Sequence, residues 1–210
     1  MDTVDRHDGN TICTPDDLAK IYSKPLPKVA NKETDHITEV GCAFIAASPF
    51  LVLATANGDS IDCPPKGDAP GFVQLLDDRT LLIPDRPGNN RIDGMKKLLV
   101  NPKVGIIFMV TGSNETYRVT GGAAISTDPG LLKRFKVLGK LPRVVVRVSV
   151  QEAFNHCPKA FVRAKLWDAN ARPASALTHG DFAASRDGKD KAYAKDYNEK
   201  YAERLKTELC

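Results

Sequence analysis

Apolar and polar positions change their period twice along this 210-residue chain. Near the N-terminus the signals are helical. Thr14-Pro15-Asp16-Asp17 reads as a helix start: the hydroxyl caps free amides, the proline suits the first helical position, and the two carboxylates meet the positive end of the dipole. Pro25 and Pro27 end that helix. A second is predicted over 34–47, with Ile37, Val40, Phe44 and Ile45 on one face and Ser48-Pro49 as its stop.

From residue 50 the pattern becomes that of strands. The apolar run 50–55 closes on Asn57-Gly58, a strong two-residue hairpin signal, and polar residues 60–62 resume the chain before Pro64-Pro65. Residues 72–76 and 80–83 flank a turn at Asp77-Asp78. Longer strands are predicted over 103–110 and 115–126. Residues 143–151 alternate, with Val144, Val146, Val148 and Val150 on one face and Arg143, Val145, Arg147, Ser149 and Gln151 on the other. Three helices punctuate the strands. One begins near Asn90 and carries Ile92, Met95, Leu98 and Leu99. One follows Asp128-Pro129 with Leu131, Leu132 and Phe135, and one runs after His156 through Ala160 to Leu166. Residues 169–190 read as a polar surface loop. The tail, 189–209, reads as a helix whose Tyr193, Tyr197, Tyr201, Leu205 and Leu209 form a stripe that packs on the body or on a second subunit. About six strands with tight turns predict a mainly β antiparallel barrel or sandwich.

Composition narrows the class. With 42% hydrophobic and 27% charged residues the chain is long enough and apolar enough to fold around its own core. No apolar stretch approaches the roughly 18 residues of a membrane span, and the acidic start, Met1 to Asp5, does not read as a secretory signal. Cys13, Cys42, Cys63, Cys157 and Cys210 have no framework spacing and read as free thiols in a reducing cytosol, so a cytoplasmic location is expected. The net charge of +4 is mild and suits small anionic ligands as much as nucleic acid; the basic residues are scattered rather than striped, and neither nucleic acid nor a membrane is expected as a partner.

Three stretches carry candidate chemistry. The segment 83–93 joins a strand end to a helix start and contains Asp85, Asn89, Asn90 and Arg91; free helix amides beside an arginine suit a phosphate. Its plainer reading is a turn in which Asn90 caps the helix. The segment 62–72, with Asp62, Cys63, Lys66 and three prolines, holds a lysine in a stiff loop where glycines let a flat ligand approach the backbone; its plainer reading is a surface loop with a solvated lysine. The segment 154–160 pairs His156 with Cys157. Adjacent residues rarely ligate one metal, and no second pair completes a ligand set, so no metal is expected; the plainer reading is a helix-start histidine beside a half-buried thiol. His7, His36 and His179 read as solvated. Nucleophile-elbow, zincin, Walker and dinucleotide fingerprints do not occur.

In order, Lys66-Gly67-Asp68-Ala69-Pro70-Gly71-Phe72-Val73, Ile83-Pro84-Asp85-Arg86-Pro87-Gly88-Asn89-Asn90-Arg91, Asn101-Pro102, Glu115-Thr116-Tyr117-Arg118-Val119-Thr120-Gly121 and His156-Cys157-Pro158-Lys159-Ala160 with Leu166-Trp167 resemble the pyridoxamine 5′-phosphate oxidase-related family of flavin-binding split barrels, in a branch distinct from the vitamin B6 enzyme. The resemblance covers about 35–168. It implies a six-stranded antiparallel split barrel with peripheral helices, preceded by a helical extension (1–34) and followed by a polar loop and C-terminal helix (169–210). It further implies a homodimer with FMN at the interface. Pro84 and Asp85 would lie along the ring, Asn90 and Arg91 at the phosphate, Asn89 among the cofactor-binding residues, and Asp62 and Cys63 beside the ring, with Lys66 near the ring or the phosphate. Thr116 would stand where relatives place a flavin-bonding glutamine, and Lys159 and Arg163 would reach in from the second subunit. The family's Ser-Arg-Lys phosphate run is matched only in part, and its pyridoxal-phosphate pattern is missing from the C-terminal region. The expected function is an FMN-dependent oxidoreductase using a nicotinamide cofactor such as NAD(P)H or a small organic donor, with Lys66 supplying positive charge at the flavin. The alternatives are a deazaflavin in place of FMN, a non-catalytic flavin or haem carrier, and a thiol-based redox regulator.

Overall fold

The computed structural model describes residues 10–171 and 176–208; His7 and Leu209 lie outside them. The chain forms two compact units, Met1–Glu33 and Thr34–Cys210. The first contains α1 (Pro15–Ile21), whose first turn is capped by the Thr14 side chain accepting from the Asp17 amide, and the single turn α2 (Pro27–Ala30).

The second unit opens with α3 (Glu39–Ala47). This helix starts five residues later than its apolar spacing predicts. Thr34 is instead bridged to Ala153, and Thr38 supplies the cap. Ile37 and Ile45 are buried as expected, whereas Val40 is 80% exposed. Then come β1 (Phe50–Ala56), β2 (Ile61–Asp62), β3 (Pro65–Gly67), β4 (Gln74–Asp77) and β5 (Thr80–Pro84). After α4 (Asp93–Val100) follow β6 (Lys103–Met109), β7 (Thr116–Ser126), α5 (Pro129–Lys133), β8 (Val145–His156) and α6 (Lys159–Ala164). The tail is α7 (His179–Asp187) and α8 (Lys191–Glu208).

All eight strands join one antiparallel sheet in the order β2-β1-β6-β7-β8-β5-β4, with β3 also on β1. Six are the expected strands. The two extra ones, β2 and β3, are short and fold back on β1, and the pairing path is open rather than a closed ring. The sheet wraps one core. Leu51 and Leu53 of β1, Ile106 and Phe108 of β6, Val119 of β7, Val146 and Val148 of β8 and Leu81 and Ile83 of β5 belong to a single buried cluster. Strand β5 is buried on both faces because α5 covers its outer side, where Leu82 meets Val145 and Phe135.

Strand β8 ends five residues later than its alternation predicts. Pairing with β7 steps from Thr120↔Glu152 to Gly121↔Val150, leaving Gln151 as an extra residue. The inward set is Val146, Val148 and Val150 before this bulge and Ala153 after it, so a period-two pattern loses phase there. His156 therefore ends a strand instead of starting a helix.

Within the predicted loop over 169–190, of which 172–175 lie outside the described residues, residues 179–187 form a helix. Helix α7 carries a reciprocal capping box between Thr178 and Asp181, and Gly180 lets α7 approach the Ala194 carbonyl and Asn198 of α8 closely. The tyrosine stripe packs within this helix pair: the His179 ring lies 5.3 Å from that of Tyr197 and 4.8 Å from that of Tyr201. His179 is thus stacked, although exposed.

At the bulge, a methyl group on Gly121 would meet the Ser149 carbonyl. Gly121→Ala is expected to cost about 1–3 kcal/mol through forced overpacking, read as a lowered thermal or urea midpoint.

Candidate functional site

A cavity of about 900 Å³ opens where the β1–β3 hairpin faces the end of β5 and the start of β8. Its apolar wall includes Leu53, Phe72, Pro84, Leu98 and Val146, and its rim is built from residues 86–95 and 140–143. The two sides are tied together by an ion pair. Lys66 on β3 donates to Asp85, just past β5, at 3.3 Å, with both side chains about one-fifth exposed. The Asp85 amide donates to the Val144 carbonyl at 3.0 Å and keeps the β5 end on the β8 side.

The rim before α4 is strained. Asn90 and Ile92 both have positive φ, 58° and 48°, and a β-branched residue is rarely found there. Ile92 occupies the cap position of α4 and offers no side-chain bond, so Asn90 is not the cap. Its amide oxygen instead accepts from Arg143 Nη1 at 2.8 Å. The Asn89 oxygen accepts from the Arg91 amide, and the Arg91 guanidinium turns to Asp93, with Nη2 at 2.7 Å. That pair holds the Asp93 carboxyl below the usual range. Gly94 permits the first turn of α4 to lie against Asp62: a Cβ there would stand 3.1 Å from Oδ2. The carboxylate thus faces the positive end of the helix. Next to it Thr55 Oγ1 is buried, one of two buried side-chain atoms among the described residues with no hydrogen-bond partner.

Of the residues singled out from sequence, Asp62, Lys66, Pro84, Asp85, Asn89, Asn90 and Arg91 line this cavity. Cys63 is exposed and outside the lining. Thr116, Lys159 and Arg163 are not brought to it. Thr116 pairs with His156 at the far end of β8, and α6, with Lys159 and Arg163, follows that end. The cavity touches the start of the same strand, so the two places are separated by roughly 35 Å of extended chain at about 3.3 Å per residue. Two arginines were missed. Arg86 donates to Asp68 at 2.6 Å and to the Phe135 carbonyl at 2.8 Å; Arg143 reaches Asn90 across 53 positions. Long-range pairing puts both in place, and no local spacing signals it. Among the described residues no cluster of His, Cys, Asp or Glu could hold a metal ion, and no helix is long and apolar enough to cross a membrane.

A wrapped antiparallel sheet with peripheral helices, its strand ends set around an apolar, cation-rimmed cavity, defines a split-barrel class. A family model described as pyridoxamine 5′-phosphate oxidase matches residues 37–157, and the chain belongs to that family. Similar solved structures include HupZ of Group A Streptococcus (22% identity, 57% of this chain and 93% of that one, TM-score 0.47). A Lactobacillus delbrueckii protein named as a candidate pyridoxamine 5′-phosphate oxidase is 20% identical over 58% of this chain and 95% of its own, with TM-score 0.46. General Stress Protein 26 of Bacillus anthracis is 18% identical over 54% and 88%, with TM-score 0.40. No curated protein matches the sequence.

Asp93 is expected to titrate below a free aspartate, which lies near 3.9. Because its folded value is depressed, its contribution is present at neutral pH and disappears as pH falls through that lowered value. Carboxyl-carbon NMR should show the low midpoint, and Arg91→Gln should move it upward.

Proposed function

We propose that this protein is an FMN-dependent oxidoreductase that works as a homodimer. The residues present suit the group. The cavity's volume lies within the ~300–1,000 Å³ typical of small-ligand sites. Its proline- and leucine-bearing wall matches a flat ring, and its arginine-bearing rim matches a phosphate ester. Among the described lining residues Met95 is the one side chain of a type that commonly ligates haem iron, which favours flavin over haem.

The observation that carries the proposal is Lys66, held by Asp85 at the edge of an apolar cavity. Flavin, when bound, supplies the hydride chemistry. Lys66 would favour the reduced, anionic ring as an ammonium hydrogen-bond donor: Asp85 fixes its place and offsets part of its charge, but engages one of its three N–H groups. Leu53, Phe72, Pro84 and Val146 exclude water. Arg91 holds the phosphate with help from the neighbouring loop amides, exchanging its exposed contact with Asp93, a pair of small net worth, for a doubly charged ester. The Asn90 amide nitrogen is a further donor, its oxygen being engaged by Arg143.

The dimer is part of this reading. Thr116, Lys159 and Arg163 lie too far along β8 to serve the cavity of their own chain, and in a twofold dimer the far end of one sheet would serve the cavity of the other.

Titration with FMN, followed by quenching of flavin fluorescence, is expected to give one site per chain, with riboflavin binding more weakly. Lys66→Gln should retain FMN while lowering its midpoint potential. Stopped-flow reduction by NADH or NADPH separates an oxidoreductase from a carrier, and light scattering should report a dimer. A protein that stays colourless and takes up no added FMN would overturn the proposal.

A further inference from the structure

The cavity's positive charges are unequally spent. Lys66 is paired with Asp85, Arg86 with Asp68 and Arg91 with Asp93. Arg143 differs: its described hydrogen bond goes to the neutral amide of Asn90, which aims the guanidinium without cancelling its charge. The residue that aims it is itself held at positive φ.

The segment leading to Arg143 is also unusual. Val137 and Lys140 exchange both backbone hydrogen bonds across a two-residue turn, Leu138-Gly139, in which both residues have positive φ, 47° and 82°. Glycine accepts that conformation freely and leucine only rarely. Leu138 is nevertheless there, 75% exposed, with Leu141 47% exposed and lining the cavity rim beside Arg143. A strained turn that holds a large apolar side chain in water, five residues before an aimed arginine on the cavity rim, suits a recognition element better than packing.

The geometry points to this lip as the docking site of the second reactant, an organic anion whose carboxylate or phosphate meets Arg143 and whose apolar body lies on Leu138 and Leu141. The assignment of that anion as the flavin's reaction partner rests on the function proposed above; the docking site itself does not.

Benzoate and its neutral isostere benzamide are suitable probes, followed by ligand-observed NMR on protein with and without FMN. Benzoate is expected to bind about tenfold more tightly than benzamide, as one charge-assisted bidentate contact allows. The preference should shrink with added salt. Arg143→Gln should abolish it while FMN stays preferred to riboflavin through Arg91, with some loss of FMN affinity because Asn90 is no longer held, and Arg143→Lys should keep part of it. Equal binding of the two probes, or a preference that survives Arg143→Gln, would overturn the inference. So would an Arg143→Gln protein that no longer prefers FMN to riboflavin, since the arginine would then serve the cofactor's phosphate. A benzoate preference in a protein that takes up no FMN would support the docking site and overturn the flavin reading.

Discussion

The pairing of β7 with β8 is the constraint on which the rest of the structure depends. These are the two longest strands, and they stand at the centre of the sheet order. Everything on the β1 side and everything on the β5 side is connected through them. The bulge at Gln151 and the bare Gly121 opposite let β8 bend and change the face it presents. That change lets one sheet wrap a single core, and it brings β3 within ion-pair distance of the end of β5. The Lys66–Asp85 contact is therefore a product of the central pairing as much as of the two residues.

Charge in the cavity is organised rather than simply abundant. Each of Lys66, Arg86 and Arg91 has its own carboxylate, so these cations sit in fixed places at little cost in mutual repulsion. Asp62 lies against the first turn of α4, which has no side-chain cap of its own. A ligand that brings negative charge can displace Asp93, one-third exposed and paired with a three-quarters-exposed arginine, more cheaply than Asp85, which like its lysine is about one-fifth exposed. The rim is thus built to exchange partners and the interior to keep them.

The sequence revealed most of the strands because β1, β5, β6 and the first half of β8 alternate or run apolar between clear turn residues. It hid the second half of β8, since the bulge moves the inward residue from an even to an odd position. It hid β3 behind Pro64-Pro65, and it hid α7 because that helix has little apolar surface; the Thr178-x-x-Asp181 box was its one local signal. At the site, the two loops that carry Lys66 and residues 85–91 were visible as glycine- and proline-rich segments with basic residues. Their meeting was not, because an ion pair between residues 66 and 85 depends on how far the sheet wraps. Arg143 was legible only as a polar position on a strand face, and its role comes from Asn90, 53 residues away.

The central claim is that the wrapped sheet closes a flavin site between Lys66 and the end of β5. A crystal structure of the protein grown with FMN tests it most directly. The account predicts the ring lying against the β3 and β5 ends with Lys66 at its edge and the phosphate on the loop before α4. A ring bound elsewhere, or Lys66 turned away from it, would contradict the account.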